Sequence, residues 1–163
     1  MARILVIGIG NTLRSDDGVG WHVAHELREQ MSASDVDVIA VQQLMPEIAE
    51  PVSRAEKVLF LDAVEGGRPG SVRGQQIVPA VELRLDSHHL TPTAVLTLAL
   101  RLYNRCPEAF LLTVAGESFS TGENFSAAVK GALPAVREAI ERFLSWARKG
   151  DRPEAEFLND LID

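Results

Sequence analysis

The chain reads as an α/β protein: a three-layer sandwich on a twisted sheet of about five strands, mostly parallel with one antiparallel, and helices on both faces. Three observations point there. Short apolar runs alternate with stretches of helical periodicity along the 163 residues. The first run, Arg3 to Ile9, carries Ile4, Leu5, Val6 and Ile7 in succession, as a central parallel strand does when both its faces are covered. It passes through Gly8-Ile9-Gly10 straight into a helical pattern, the strand–turn–helix join of doubly wound sheets.

Each element follows from local pattern. Val19, Gly20, Val23, Ala24, Leu27 and Met31 fall on one side of a helix, with His22, His25, Arg28 and Glu29 on the other. Val36 to Val41 predicts a second strand. Pro46 suits the first position of a short helix, which Pro51 limits or kinks. Lys57 to Leu61 predicts a third strand ending at Asp62. Glu65 to Gly70 is a turn, and Ser71 to Val78 a strand that reverses direction. Thr91 caps the next helix and Pro92 opens it. That helix, to about Tyr103, is apolar almost all round, so it is either sandwiched in the core or part of a contact surface. Ala109 to Ala115 is the fifth strand. Ser126 caps a long last helix, bent at Pro134. Residues 1–149 form one α/β domain on this reading. Residues 150–163 form an acidic tail with Phe157, Leu158, Leu161 and Ile162 at helical spacing, to which no role is assigned.

Composition excludes several function classes. A formal charge of -7 with no lysine or arginine cluster argues against nucleic acid or an anionic membrane as partner. The single cysteine, Cys106, allows no internal disulfide and fits a reducing compartment. The N-terminal apolar run lacks a cleavage site, and no run reaches membrane-spanning length, so a cytoplasmic protein is expected. A monomer is favoured.

The first turn carries the chemistry. In related folds it binds a phosphate, but here Asp16 and Asp17 stand where the anion would rest, and Leu13 replaces the third small residue. Carboxylates in that place suit a cation. Ligands of open α/β sheets bind outside the carboxyl ends of the strands. Three groups fall there: Asp17 after the first strand, Asp62 at the end of the third, and His88 just before the helix capped by Thr91. Two oxygens and one nitrogen would make an open site for a borderline divalent ion such as nickel or zinc. The positive end of the following helix favours a neutral His88, as ligation requires.

Ordinary readings stand beside these. Asp16 and Asp17 fit an N-cap and a charge complementing the helix dipole; Asp62 fits a strand terminator; one of His88 and His89 fits a surface position. His22 and His25 fit solvated positions on an outer helix face, and Trp21 fits either packing or a partner contact. Nothing marks Cys106 as a nucleophile, and no Gly-x-Ser-x-Gly elbow surrounds Ser118 or Ser120.

Taken together, Gly8-Ile9-Gly10-Asn11-Thr12-Leu13-Arg14-Ser15-Asp16-Asp17-Gly18-Val19-Gly20, Leu61-Asp62-Ala63, Ser87-His88 with Leu90, and Val114-Ala115-Gly116 resemble the motifs of the hydrogenase maturation proteases, over roughly residues 3 to 145. The resemblance implies an endopeptidase that removes the C-terminal extension of the nickel–iron hydrogenase large-subunit precursor after nickel insertion. It implies that Asp17, Asp62 and His88 bind nickel carried by that precursor, or another divalent cation in its place, with Asp16, Asp17 and Asp62 as catalytic acids. Two routes to hydrolysis stay open: the ion polarises the scissile carbonyl or activates a water, or a carboxylate such as Asp16 acts as general base. The sequence departs from the family at Val41-Gln42-Gln43-Leu44-Met45-Pro46-Glu47, which lacks the acid many members carry after the second strand. It looks there like the subgroup serving soluble NAD-linked hydrogenases, and Gln42, Gln43 or Glu47 is left to act differently. The alternatives are a non-catalytic nickel-site chaperone and a Rossmann-type nucleotide-binding protein, the latter disfavoured by Leu13 and the acid pair.

Overall fold

The computed structural model describes residues 3–83 and 90–150. Strands β1 (Ile4–Ile9), β2 (Val36–Val41), β3 (Lys57–Val64), β4 (Val72–Ile77) and β5 (Glu108–Ala115) form one sheet in the order β2-β1-β3-β5-β4. All neighbours pair in parallel except β4, which runs antiparallel to β5. Helices α1 (Val19–Gln30) and α4 (Ala127–Lys149) cover one face; α2 (Ala49–Arg54) and α3 (Pro92–Tyr103) cover the other. The expected α/β sandwich is present.

Alternation along the central strands builds both cores. Ile4 and Val6 of β1 point with Leu59 and Leu61 of β3 toward α1 and α4. Leu5, Ile7 and Ile9 point with Val58 and Phe60 toward α2 and α3. This two-sided burial is why β1 is apolar at successive positions.

Local signals set the helix boundaries. The Thr91 hydroxyl accepts from the Ala94 N–H at 3.1 Å, and α3 ends at Asn104 in the left-handed region, φ 55°. Ala94 to Ala99 are buried, whereas Leu100, Leu102 and Tyr103 are exposed, so α3 is a core helix for its first half only. A 3-10 turn, Pro46–Ile48, leads into α2, and Pro51 lies in the first turn of α2, where a missing N–H leaves no intrahelical bond unmade. Helix α4 continues through Pro134.

One boundary differs from expectation. Strand β3 does not end at Asp62 but runs to Val64, because β5 stays alongside: Asp62, Ala63 and Val64 pair with Thr113, Val114 and Ala115. Asp62 therefore sits inside a ladder, and alternation turns it to the same side as Phe60.

Two glycines set the distance between α1 and the sheet. A Cβ on Gly8 would stand 2.1 Å from the Gly20 carbonyl oxygen and 2.3 Å from the Ala24 Cβ. A Cβ on Gly20 would stand 2.4 Å from the Leu61 carbonyl oxygen and 2.5 Å from that of Ile9. Helix α1 thus lies with its backbone directly on the carboxyl ends of β1 and β3. Gly20→Ala should force them apart and lower stability by about 1–3 kcal/mol or more, read from urea unfolding midpoints.

Candidate active site

The turn after β1 folds back on itself around Asn11. The Asn11 N–H donates to Asp17 Oδ2 at 2.9 Å, and Asn11 Oδ1 accepts from the Leu13 N–H at 2.9 Å. The N–H groups of Arg14 and Asp17 donate to the carbonyls of Asn11 and Arg14, each at 3.1 Å. Gly10 makes the fold-back possible, since a Cβ there would meet the Asp17 carbonyl oxygen at 2.0 Å. Ser15–Gly18 then forms a 3-10 turn, with Ser15 in the left-handed region at φ 52°. Such backbone persists in a non-glycine residue only when its surroundings hold it. The N-cap of α1 is Gly18, with no side-chain cap bond, so neither aspartate plays the capping part that its position suggested.

What holds Ser15 is the loop between β5 and α4, residues 116–126. The Ser15 N–H donates to the Gly122 carbonyl and its hydroxyl to the Ser120 carbonyl, both at 2.8 Å. Gly122 returns its N–H to the Leu13 carbonyl at 2.9 Å, and Arg14 and Gly122 form an isolated parallel bridge.

Asp16 locks the same two loops. It is 0% exposed, and its carboxylate accepts four hydrogen bonds: from the N–H of Glu117 at 2.8 Å, of Ser118 at 3.0 Å, of Ser126 at 2.8 Å, and from the Ser126 hydroxyl at 2.8 Å. Burial disfavours the charge, but these donors outweigh it and hold the Asp16 carboxyl below the usual carboxylate range. Ser126 serves twice, since its hydroxyl also accepts from the Val129 N–H at 3.3 Å to cap α4. That double duty was invisible in the sequence, where Ser126 reads only as a cap.

Asp62 has the opposite environment. Burial raises its carboxyl to about 7; the Ala63 N–H, 2.8 Å from Oδ1, opposes that shift, and the charge of Asp17 adds to it. The two carboxylates therefore sense one another. The packing of Gly20 on the Leu61 carbonyl explains this, because it sets the start of α1 against the residue before Asp62.

His88 lies outside the described residues. The segments on either side of it are anchored: Leu83 and Leu90 both pack on the core under α2 and α3, the face toward which Asp62 turns. Helix α3 leads to the amino end of β5, so its capped start lies toward the carboxyl edge of the sheet. Among the described residues, no three His, Cys, Asp or Glu side chains gather closely enough to hold a metal ion.

The remaining candidates separate. Gln42, Gln43 and Glu47 are exposed after β2, in a loop joined to the first turn by the Gly10 N–H and the Val41 carbonyl at 3.0 Å. His25 is exposed, stacked on Trp21 at 4.9 Å between centroids. His22 is half-buried instead of solvated, edge-on to Phe125 at 5.3 Å; burial and then the neighbouring His25 push its pKa down. Burial pushes the Cys106 thiol up, away from the reactive thiolate. Ser118 and Ser120 share a 2.9 Å hydrogen bond within the loop that holds Asp16 and Ser15. No helix of the described residues is long and apolar enough to cross a membrane.

The structure is thus a doubly wound α/β sheet with two interacting acids, Asp17 and Asp62, near the carboxyl ends of its strands. No protein-family model matches the chain. The hydrogenase maturating endopeptidase HybD of E. coli has the same fold, with a TM-score of 0.70 and 23% identity over 91% of this chain and 93% of that one. The nickel–iron hydrogenase maturation protease HycI of Thermococcus kodakarensis is 25% identical, with a TM-score of 0.66 over 88% and 93% of the two chains. The hydrogenase expression/formation protein HupD of Rhizobium leguminosarum is 27% identical over 99% of this chain and 84% of its own length. In sequence and in fold the chain is similar to proteins described as hydrogenase maturation proteases.

The two acids predict opposite pH behaviour. Asp16 contributes stability that is present above its unfolded pKa and lost as pH falls through the lower folded value. Asp16→Asn should cost about 3 kcal/mol at neutral pH, with the gap to wild type narrowing in acid, as measured by urea unfolding across pH. For Asp62, between the ordinary value of 3.8 and about 7, the folded protein keeps a proton the unfolded chain has released. Stability from that proton is fully present below the unfolded pKa and is lost as pH rises through the folded one. Asp62→Asn should therefore gain on wild type as pH rises through this window, in thermal melts at the two ends.

Proposed function

We propose that the chain is the endopeptidase that removes the C-terminal extension of the nickel–iron hydrogenase large-subunit precursor once nickel is inserted. The observation that carries this reading is the approach of Asp17 and Asp62 at the carboxyl edge of the sheet, close enough for the charge of one to raise the pKa of the other. A pair of acids in mutual repulsion is relieved by a divalent cation, and the ion proposed is the nickel the precursor brings, or another divalent ion in its place. His88 is the proposed third ligand, supported by the anchoring of Leu83 and Leu90 on the face toward which Asp62 turns.

This arrangement licenses cleavage by the state of the substrate. A precursor without nickel lacks the main contact, and two carboxylates with one imidazole form an open site suited to reversible binding. Asp17, turned into the site by the Asn11 N–H, and Asp62, which gives up its proton as the cation binds, make the contact. In the polarising route, the substrate's nickel draws electron density from the scissile carbonyl while water attacks. Asp16 is less suited to the general-base route, because its oxygens already accept from four donors; its proposed part is to hold the turn that carries Asp17. The work is proposed for the cytoplasm, on a folded precursor, by a monomer.

The test incubates the protein with its genome's large-subunit precursor, with and without nickel, and weighs the products. A C-terminal peptide should appear only with nickel. Asp17→Asn, Asp62→Asn and His88→Ala should each abolish its release while remaining folded by circular dichroism. Full cleavage by Asp62→Asn would remove that residue from the site. Binding without any released peptide would leave a chaperone.

A further inference from the structure

Leu13 and Arg14 stand out at the tip of the first turn. Leu13 is 57% exposed although its backbone is held on both sides, its N–H by Asn11 Oδ1 and its carbonyl by the Gly122 N–H, each at 2.9 Å. Arg14 is exposed, donates its N–H to Asn11 and accepts from Asp17 through its carbonyl, while its guanidinium has no ion pair among the described residues. The left-handed Ser15 beyond them is pinned through both its N–H and its hydroxyl to the 116–126 loop. A large apolar side chain, more than half exposed, and a cation are thus presented on backbone held at both ends. Asn11 also links this tip to the site, because the same residue that fixes Leu13 fixes the Asp17 carboxylate.

We propose that Leu13 and Arg14 form a preformed finger that reads the peptide segment of the substrate beside the scissile bond, taking an apolar side chain on Leu13 and a carboxylate on Arg14. The proposal rests on the endopeptidase reading and adds the residues that select the peptide. Its surroundings agree. Met45 after β2 and Val64 at the end of β3 are also exposed, so the carboxyl ends of three neighbouring strands, β2, β1 and β3, each present a large apolar side chain. The occupant is a peptide because Asn11 joins the finger to Asp17 of the proposed cleavage site. The carboxylate follows from Arg14 itself, an exposed guanidinium that has no ion pair among the described residues. A rigid finger loses little entropy when the peptide binds, so its contacts count in full toward affinity.

Steady-state cleavage of the nickel-loaded precursor tests this. Leu13→Ser and Arg14→Glu should each raise KM by about tenfold with kcat nearly unchanged, the signature of lost uniform binding. Val81→Ser, at an exposed apolar position on the segment after β4, should change neither constant. Unchanged KM in either finger variant would overturn the proposal, as would a fall in kcat alone, which would put the turn in the chemistry. If wild type releases no peptide, the endopeptidase reading fails first. The finger is then judged by calorimetry on precursor affinity, which the same two substitutions should weaken by about tenfold and which unchanged affinity would refute.

Discussion

A single buried carboxylate holds the working edge of this sheet together. Asp16 spends both oxygens on the loop that follows β5, and through that contact the turn after the first strand is bound to the turn after the last parallel one. A charge without exposure to water is tolerable only when donors replace hydration, and three N–H groups and a hydroxyl do so here. The left-handed Ser15, the fold-back at Asn11 and the aim of Asp17 all lie within this lock. The close packing of Gly8 and Gly20 then carries the locked turn onto the end of β3.

The acids of the first turn and of β3 show how neighbouring carboxylates acquire different chemistry from surroundings alone. Asp16 is buried with donors and is held ionised. Asp62 is half-buried with one neighbouring N–H donor and a like charge nearby, and is held partly protonated near neutrality. An ionised anchor and an acid that keeps its proton near neutrality are different tools, and pKa values pushed apart in this way are a usual mark of a functional site. The doubly wound fold leaves the carboxyl edge of its sheet open, which is where ligands of such sheets bind.

Much of the fold was legible because its signals are local. The central strands are apolar on both faces, Thr91-Pro92 opens α3 and Ser126 caps α4, and each works through residues within a turn of the boundary. The end of β3 was less legible, since its last residues depend on β5 persisting alongside, a pairing made across more than forty positions of sequence. The environment of His22 failed for the same reason: Phe125, which half-buries it, arrives from another element. Of the site, Asp17 and Asp62 could be placed at one edge by the topology of a doubly wound sheet. The separation of duties between Asp16 and Asp17 could not, because both read as acids at a helix start.

By itself the sequence determined the type and order of the elements, the glycine-rich turn and the presence of acids where a phosphate would otherwise rest. These follow from periodicity, capping and steric allowance, which act between near neighbours. Only the tertiary structure decided which acid is an anchor and which faces the opening, and that Asp62 feels the charge of Asp17. Hydrogen bonding and desolvation depend on atoms brought together from remote stretches of chain, and the backbone contact at Gly20 brings these two carboxylates together.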